Sequence, residues 1–429
     1  MTSAPAARAE ECAAGALDWL LHTALATPDG GLSWPTRPSE PEFNPVLYSG
    51  TAGVALAMLE GLRHFDDERY AEAALRGARS VATAVDEGWE ISSLYFGLAG
   101  MAFALHTVDR QLGDRACGAA ARRALDRVRS RFDGTRWAPQ FELLSGNAGI
   151  ALAALEIGDS ELALLAVEPY LRAAESTPHG VSWMSRVDRP ARLHHLSHGT
   201  LGVAYALASV GRATGRADLL ELALAGTADV VARNEAGPTG FLVPHSDPQD
   251  RPDRIERYSY GWCHGPAGDA QAFRHLHALT GDPAWTALGE RCWHTVTRSG
   301  LPNRLRPGFW DNNGRCCGTA GVLALACDRL AERGDPPGFA DTLAGDLLAR
   351  ATADRTGVRW SNTEHRRTPS ALEPLTGWAM GNAGIARELL RYARIRGGGE
   401  PGYAVDWPDH QPVAVSAARP SAPSRPASP

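Results

Sequence analysis

The sequence contains no lysine; all 43 of its basic residues are arginines. That absence excludes a lysine Schiff base and any catalytic lysine. A net positive field is also missing: the formal charge is −6, so the electrostatic footprint of a nucleic-acid binder is absent. No apolar run is long enough to cross a bilayer and no basic-then-apolar leader is visible, which makes a cytoplasmic protein the expectation. Cysteines number seven, and an odd count without secretory signals argues against a disulfide framework. What is present is 429 residues, 44% of them hydrophobic, enough to bury a large core.

That apolar content is ordered by a repeat. A G-x-x-G loop occurs at Gly50/Gly53, Gly97/Gly100, Gly146/Gly149, Gly199/Gly202, Gly265/Gly268, Gly318/Gly321 and Gly381/Gly384. The period is about fifty residues, the mark of a supersecondary unit copied along the chain. Most copies open an apolar helical run, such as Val54–Leu59 or Val203–Leu207, fit for an interior helix. Between them lie amphipathic stretches, among them 67–85, 114–132, 217–233 and 282–297; Asp282-Pro283 and Asp114 read as helix starts. A tryptophan precedes most glycine loops (Trp34, Trp89, Trp137, Trp183, Trp310, Trp360), with Phe241 in the fifth unit. The segments between aromatic and glycine loop vary in length and suit short strands, with insertions around 184–198 and 238–260. Seven helical hairpins with apolar terminal copies predict a closed, all-α, α/α toroid spanning residues 13–398. Residues 1–12 are expected to be flexible. Residues 399–429, rich in proline, alanine and serine, are expected to be a disordered tail.

Cys12, Cys117, Cys292 and Cys327 lie in helical surroundings and read as small buried hydrophobes. Three others sit in glycine loops: Cys263 in Trp262-Cys-His-Gly265, and Cys316 with Cys317 before Gly318. The repeat sets these two loops side by side at helix N-termini, where a thiolate is stabilised. Three such thiols suit a soft divalent metal, zinc first, held by three protein ligands with one position open. A set of buried thiols is the plainer alternative.

The glycine loops together with Trp262-Cys263-His264-Gly265 and Cys316-Cys317-Gly318 resemble the LanC-like lanthionine cyclase family over roughly residues 15–395. The resemblance implies an α/α toroid and a Zn2+ site made of Cys263, Cys316 and Cys317. Cys317 stands where the family pattern commonly has histidine, as in a subset of bifunctional lanthipeptide synthetases. The implied reaction is Michael addition of a peptide cysteine to dehydroalanine or dehydrobutyrine, closing a thioether ring. His198, before the fourth glycine loop, matches the family's acid/base histidine, and Glu142 stands where many members have aspartate. His264 is a less favoured substitute ligand; His194 and His195 are expected to be structural or superficial. Arg257 falls at an unfamiliar offset from Cys263, and Asp269 is unexplained.

The implied partners are a dehydrated precursor peptide and a separate dehydratase or kinase/lyase, because the repeats leave no room for such a segment. Two other readings compete: a glutathione-adding relative acting on dehydroamino acids, and a non-catalytic toroid that binds a peptide or scaffolds a biosynthetic complex. A prenyltransferase-like zinc enzyme fits three cysteines poorly.

Overall fold

In a computed structural model, residues 4–188, 191–253, 255–305, 309–362 and 372–413 are described. They contain fourteen helices. Seven inner helices follow the glycine loops: α2 (Thr51–Phe65), α4 (Leu98–Leu112), α6 (Asn147–Ile157), α8 (Thr200–Thr214), α10 (Pro266–Thr280), α12 (Thr319–Arg333) and α14 (Asn382–Arg396). Seven outer helices alternate with them: α1 (Ala4–Thr23), α3 (Glu68–Glu87), α5 (Arg115–Ser130), α7 (Ser160–Ala173), α9 (Ala217–Ala232), α11 (Pro283–Arg298) and α13 (Gly338–Arg350).

Local chemistry sets these boundaries. Asp67, Asp114, Asp159 and Asp282 each cap an outer helix by accepting a bond from a first-turn amide. Gly113, Gly215 and Gly334 end inner helices in the left-handed conformation that glycine adopts without strain. The repeated tryptophans tie connections to outer-helix ends: Trp34, Trp183 and Trp360 donate Nε1–H to the carbonyls of Leu20, Tyr170 and Leu347 at 2.7, 3.0 and 2.8 Å.

Each inner helix packs on the next, and α14 packs on α2, so the inner layer closes. The outer layer closes with it, because α1 takes the hairpin position against α14. A ring of backbone hydrogen bonds makes the closure explicit. The residue two places before each first glycine donates its N–H to the carbonyl of its counterpart two places before the next loop's first glycine. The chain runs Tyr48, Tyr95, Leu144, Ser197, Cys263, Cys316, Ala379 and back to Tyr48, at 2.8–3.3 Å. Short antiparallel pairs decorate the connections, as expected. They are β1 (Leu25–Ala26) with β2 (Leu32–Ser33), β3 (Glu175–Thr177) with β4 (Gly180–Ser182), β5 (Arg192–Leu193) with β6 (Ser246–Asp247), and β7 (Thr352–Asp354) with β8 (Gly357–Arg359).

Both terminal expectations differ from the structure. Residues 4–12 are not loose: α1 buries Ala6, Ala9, Ala13 and Ala16, a helical stripe of small residues. Residues 399–413 do not form a detached tail either. Tyr403, Val405, Trp407, Asp409 and His410 are buried in the toroid, and only 414–429 of that expected tail lies outside the described residues. The reason is an ionic interior that this strap helps to satisfy. Asp328 on α12 pairs with Arg274 at 2.9 Å, Arg391 at 2.7 Å and His410 at 3.2 Å. Glu388 on α14 pairs with Arg315 at 3.1 Å and accepts from Tyr403 at 2.6 Å. Asp409 accepts from Tyr95 at 2.7 Å, joining the strap to the hydrogen-bonded ring. Buried charges need such partners, and several inner helices are therefore less apolar than their first turns suggest.

Candidate active site

The hydrogen-bonded ring places the sequence-predicted residues. Cys263 and Cys316 occupy equivalent positions on neighbouring loops, joined by Cys263 N–H to Cys316 O at 3.3 Å. Glycine lets these loops turn tightly: a Cβ at Gly268 would lie 1.8 Å from the Trp262 carbonyl oxygen, and one at Gly321 would lie 2.3 Å from that of Arg315. The three sulfurs converge. Cys263 Sγ and Cys317 Sγ are 3.1 Å apart, and Cys317 Sγ and Cys316 Sγ 3.5 Å.

Their donor set fits a metal ion. All three ligand atoms lie within 4.8 Å of one another, and Cys263 and Cys316 are buried. A zinc ion with bonds of about 2.3 Å to tetrahedral thiolates needs sulfurs about 3.8 Å apart, so a small opening of the cluster accepts it. The thiols are coupled through their hydrogen bonds. Bonds from Cys263 and Cys317 hold Cys316 well below the usual thiol range, and the same bonding pushes Cys263 up. Tyr48 faces Cys316, and burial first, then the charge of Cys316, pushes its hydroxyl well above the usual range. Sequence reading singled out no residue of the first loop; the signal for Tyr48 is that it stands two residues before its glycine, as do Cys263 and Cys316.

Glu142 and His198 come together beside this cluster. His198 Nδ1 lies 3.1 Å from a Glu142 carboxylate oxygen. That carboxylate is buried and also accepts from the amides of Leu144 at 2.7 Å and Ser145 at 2.8 Å, which fixes its direction. Burial pulls the His198 pKa down, but the charge of Glu142 and the bond to it outweigh burial, and the net direction is upward. With Nδ1 facing Glu142, Nε2 is the nitrogen left for proton exchange.

Three further histidines surround His198. His264 stacks on it with ring centroids 5.1 Å apart, lies 4.1 Å from His245 and meets His195 edge-on at 6.0 Å. Burial holds His264 well below the usual imidazole range and His245 at about 3, so both are neutral. His264 is not among the converging ligand atoms. His194 and His195 are fully buried, which rules out the superficial placement considered for them. His195 Nδ1 is 2.9 Å from Asp269, itself fully buried at the start of α10, and this pairing accounts for that aspartate. Arg257 points away from the cluster onto Glu235 and Tyr258.

Comparison with known proteins follows this geometry. The sequence model of the family described as lanthionine synthetase C-like protein matches residues 41–253 and 250–336. The chain belongs to this family. Among solved structures, nisin cyclase is similar at a TM-score of 0.62 and 15% identity, covering 81% of this chain and 88% of that one. An α-1,6-mannanase, GH76A of Salegentibacter sp. HEL1_6, is similar at a TM-score of 0.49 and 13% identity, over 90% of this chain and 99% of its own. An unsaturated glucuronyl hydrolase from Bacillus sp. GL1 follows at 0.48 and 16%, over 82% and 98%. None of the curated proteins matches. The expected toroid and family are thus borne out for this LanC-like chain. No helix among its described residues is long and apolar enough to cross a membrane.

Proposed function

We propose that this LanC-like protein is a cytoplasmic zinc-dependent cyclase that adds peptide cysteine thiols to dehydroalanine or dehydrobutyrine, forming lanthionine or methyllanthionine. The observation that carries the reading is the three-thiol cluster beside the Glu142–His198 pair, within electrostatic reach of Cys316. Cys263, Cys316 and Cys317 would hold the ion, which when bound supplies a Lewis acid that lowers the pKa of a substrate thiol. Three thiolate ligands give the site one more negative charge than a Cys-Cys-His set, favouring nucleophilicity of a bound thiolate over Lewis acidity. His198, oriented by Glu142, takes the thiol proton at Nε2 and returns a proton to the substrate α-carbon once the carbon–sulfur bond has formed. The dehydrated peptide would come from a separate dehydratase or kinase/lyase.

The test is mass spectrometry with a thiol-alkylating probe on a candidate dehydrated precursor, with and without the protein, beside metal analysis. The expected result is loss of alkylatable thiol at constant peptide mass, abolished in Cys317→Ala and slowed at least about 100-fold in His198→Ala. Cyclisation by both variants at the unmodified rate would refute the site. No gain over the uncatalysed rate by the unmodified protein would refute the enzyme and leave a peptide-binding toroid.

A further inference from the structure

Next to the cysteine cluster lies a cleft of about 190 Å3. No cysteine lines it. Glu142, His198 and His264 do, joined by Arg186, His245 and Arg251 from the two loop insertions. His198 and His264 thus serve both compartments, since His264 follows Cys263 in the chain and His198 feels the charge of Cys316.

The cleft wall is held by backbone bonds between three successive units. Phe141 N–H donates to Ser185 O at 2.8 Å, and Val187 N–H to Pro139 O at 3.2 Å. Strands β5 and β6 pair Leu193 with Ser246, and His245 N–H donates to Arg257 O at 2.7 Å. Arg186 is set by bonds from Nε and Nη2 to Asp188 at 2.8 and 2.9 Å, which leave Nη1 outside that pair. His245 is buried, and its Nδ1 has no hydrogen-bond partner among the described residues. A buried polar atom left in that condition is costly unless a ligand meets it.

The two compartments therefore differ in chemistry: sulfur on one side, and on the other two guanidinium groups set among Glu142 and Asp250, with the unpartnered Nδ1 of His245. The second suits an oxygen that gains negative charge. The proposed reaction produces one. Sulfur bonds to the alkene β-carbon, the π pair shifts through the α-carbon onto the acyl oxygen, and the thiol's proton is returned at the α-carbon. Resting on that reading, we propose that this cleft is the acceptor subsite, in which Arg186 and His245 bind the carbonyl oxygen of the dehydroamino acid and stabilise its enolate. Arg251 also lines the cleft, where Asp250 at 3.5 Å balances its charge. Arg257 is occupied elsewhere, by Glu235 and Tyr258.

Two measurements test the subsite. The first is equilibrium binding of a cysteine-free dehydroalanine peptide and its serine counterpart to the zinc-loaded protein. The second is kcat and KM for cyclisation of a dehydrated peptide. Arg186→Gln should weaken binding of the dehydroalanine peptide, raise KM accordingly and lower kcat by about 100-fold, and Arg186→Lys should restore part of each. His245→Phe should lower kcat by about tenfold, with circular dichroism confirming the fold. Zinc content should be unchanged in all three. If Arg186→Gln and His245→Phe cyclise normally while Cys317→Ala does not, the acceptor lies elsewhere and the subsite is refuted, with the cyclase reading intact. If the unmodified protein itself fails to cyclise, the cyclase reading falls and the subsite with it.

Discussion

Gly268→Ala gives a direct measure of how the ring positions the cysteine cluster. An alanine Cβ there would lie 1.8 Å from the Trp262 carbonyl oxygen and 2.8 Å from its carbon, where real contacts do not fall below 3.0 Å. The peptide preceding Cys263 must therefore shift by about 1.2 Å. That shift is passed to Cys263, whose two ring bonds, from Ser197 N–H and to Cys316 O, are already 3.3 Å long. Losing both bonds and overpacking a buried turn should cost about 3–5 kcal/mol in total. In a domain of this size that is a fall in Tm of about 4–6 °C. Metal binding should suffer more, because ligand geometry tolerates only about 0.2 Å of error. Zinc retention against a chelator, followed with thermal unfolding by circular dichroism, is the assay. Gly289→Ala is the control: nothing lies within 4 Å of its added Cβ in α11, so it should stabilise the helix by about 0.5–1 kcal/mol. A Gly268→Ala protein that holds zinc and melts like the unmodified one would show that the ring does not position Cys263.

Glu142→Gln should lower the cyclisation rate and move the acidic limb of its pH profile to lower pH. The reason is that Glu142 is what holds His198 above the usual imidazole range, and the neutral form accepts the proton. The same raised pKa means that the pair stabilises the fold below about pH 6.5 and that this contribution is lost as pH rises through the folded value. Denaturant titrations at pH 5 and pH 8 should therefore show the variant's deficit mainly at the lower pH. Asp328→Ala, which strips Arg274 and Arg391 of their shared buried partner, should cost about 3–5 kcal/mol by urea unfolding. Ending the chain before Tyr403 should cost at least as much, because it removes buried Trp407 and the Asp409–Tyr95 bond.

The repeat was legible in the sequence because the toroid is built from local rules. Aspartate caps, glycine turns and apolar first turns are set by neighbours a few residues apart, so seven hairpins and the adjacency of the fifth and sixth loops could be read directly. That reading brought Cys263, Cys316 and Cys317 together, and the family resemblance added Glu142 and His198, which the structure joins at 3.1 Å. Composition misled at the ends. Alanines at 6 and 9 fell in a stretch expected to be flexible, yet they continue the buried stripe of Ala13 and Ala16 on α1. Residues 403–410 looked like part of a tail, yet Asp409 meets Tyr95 across 314 positions of sequence. Tyr48, His195 with Asp269, and the Arg186–His245 cleft were hidden for the same reason. Their partners come from different units, and only closure of the ring brings them within hydrogen-bond range. The sequence by itself determined the period, the helices and which loops carry thiols. The tertiary structure decided what those loops face, because contacts around a closed ring depend on the angle of each unit about the axis rather than on spacing along the chain.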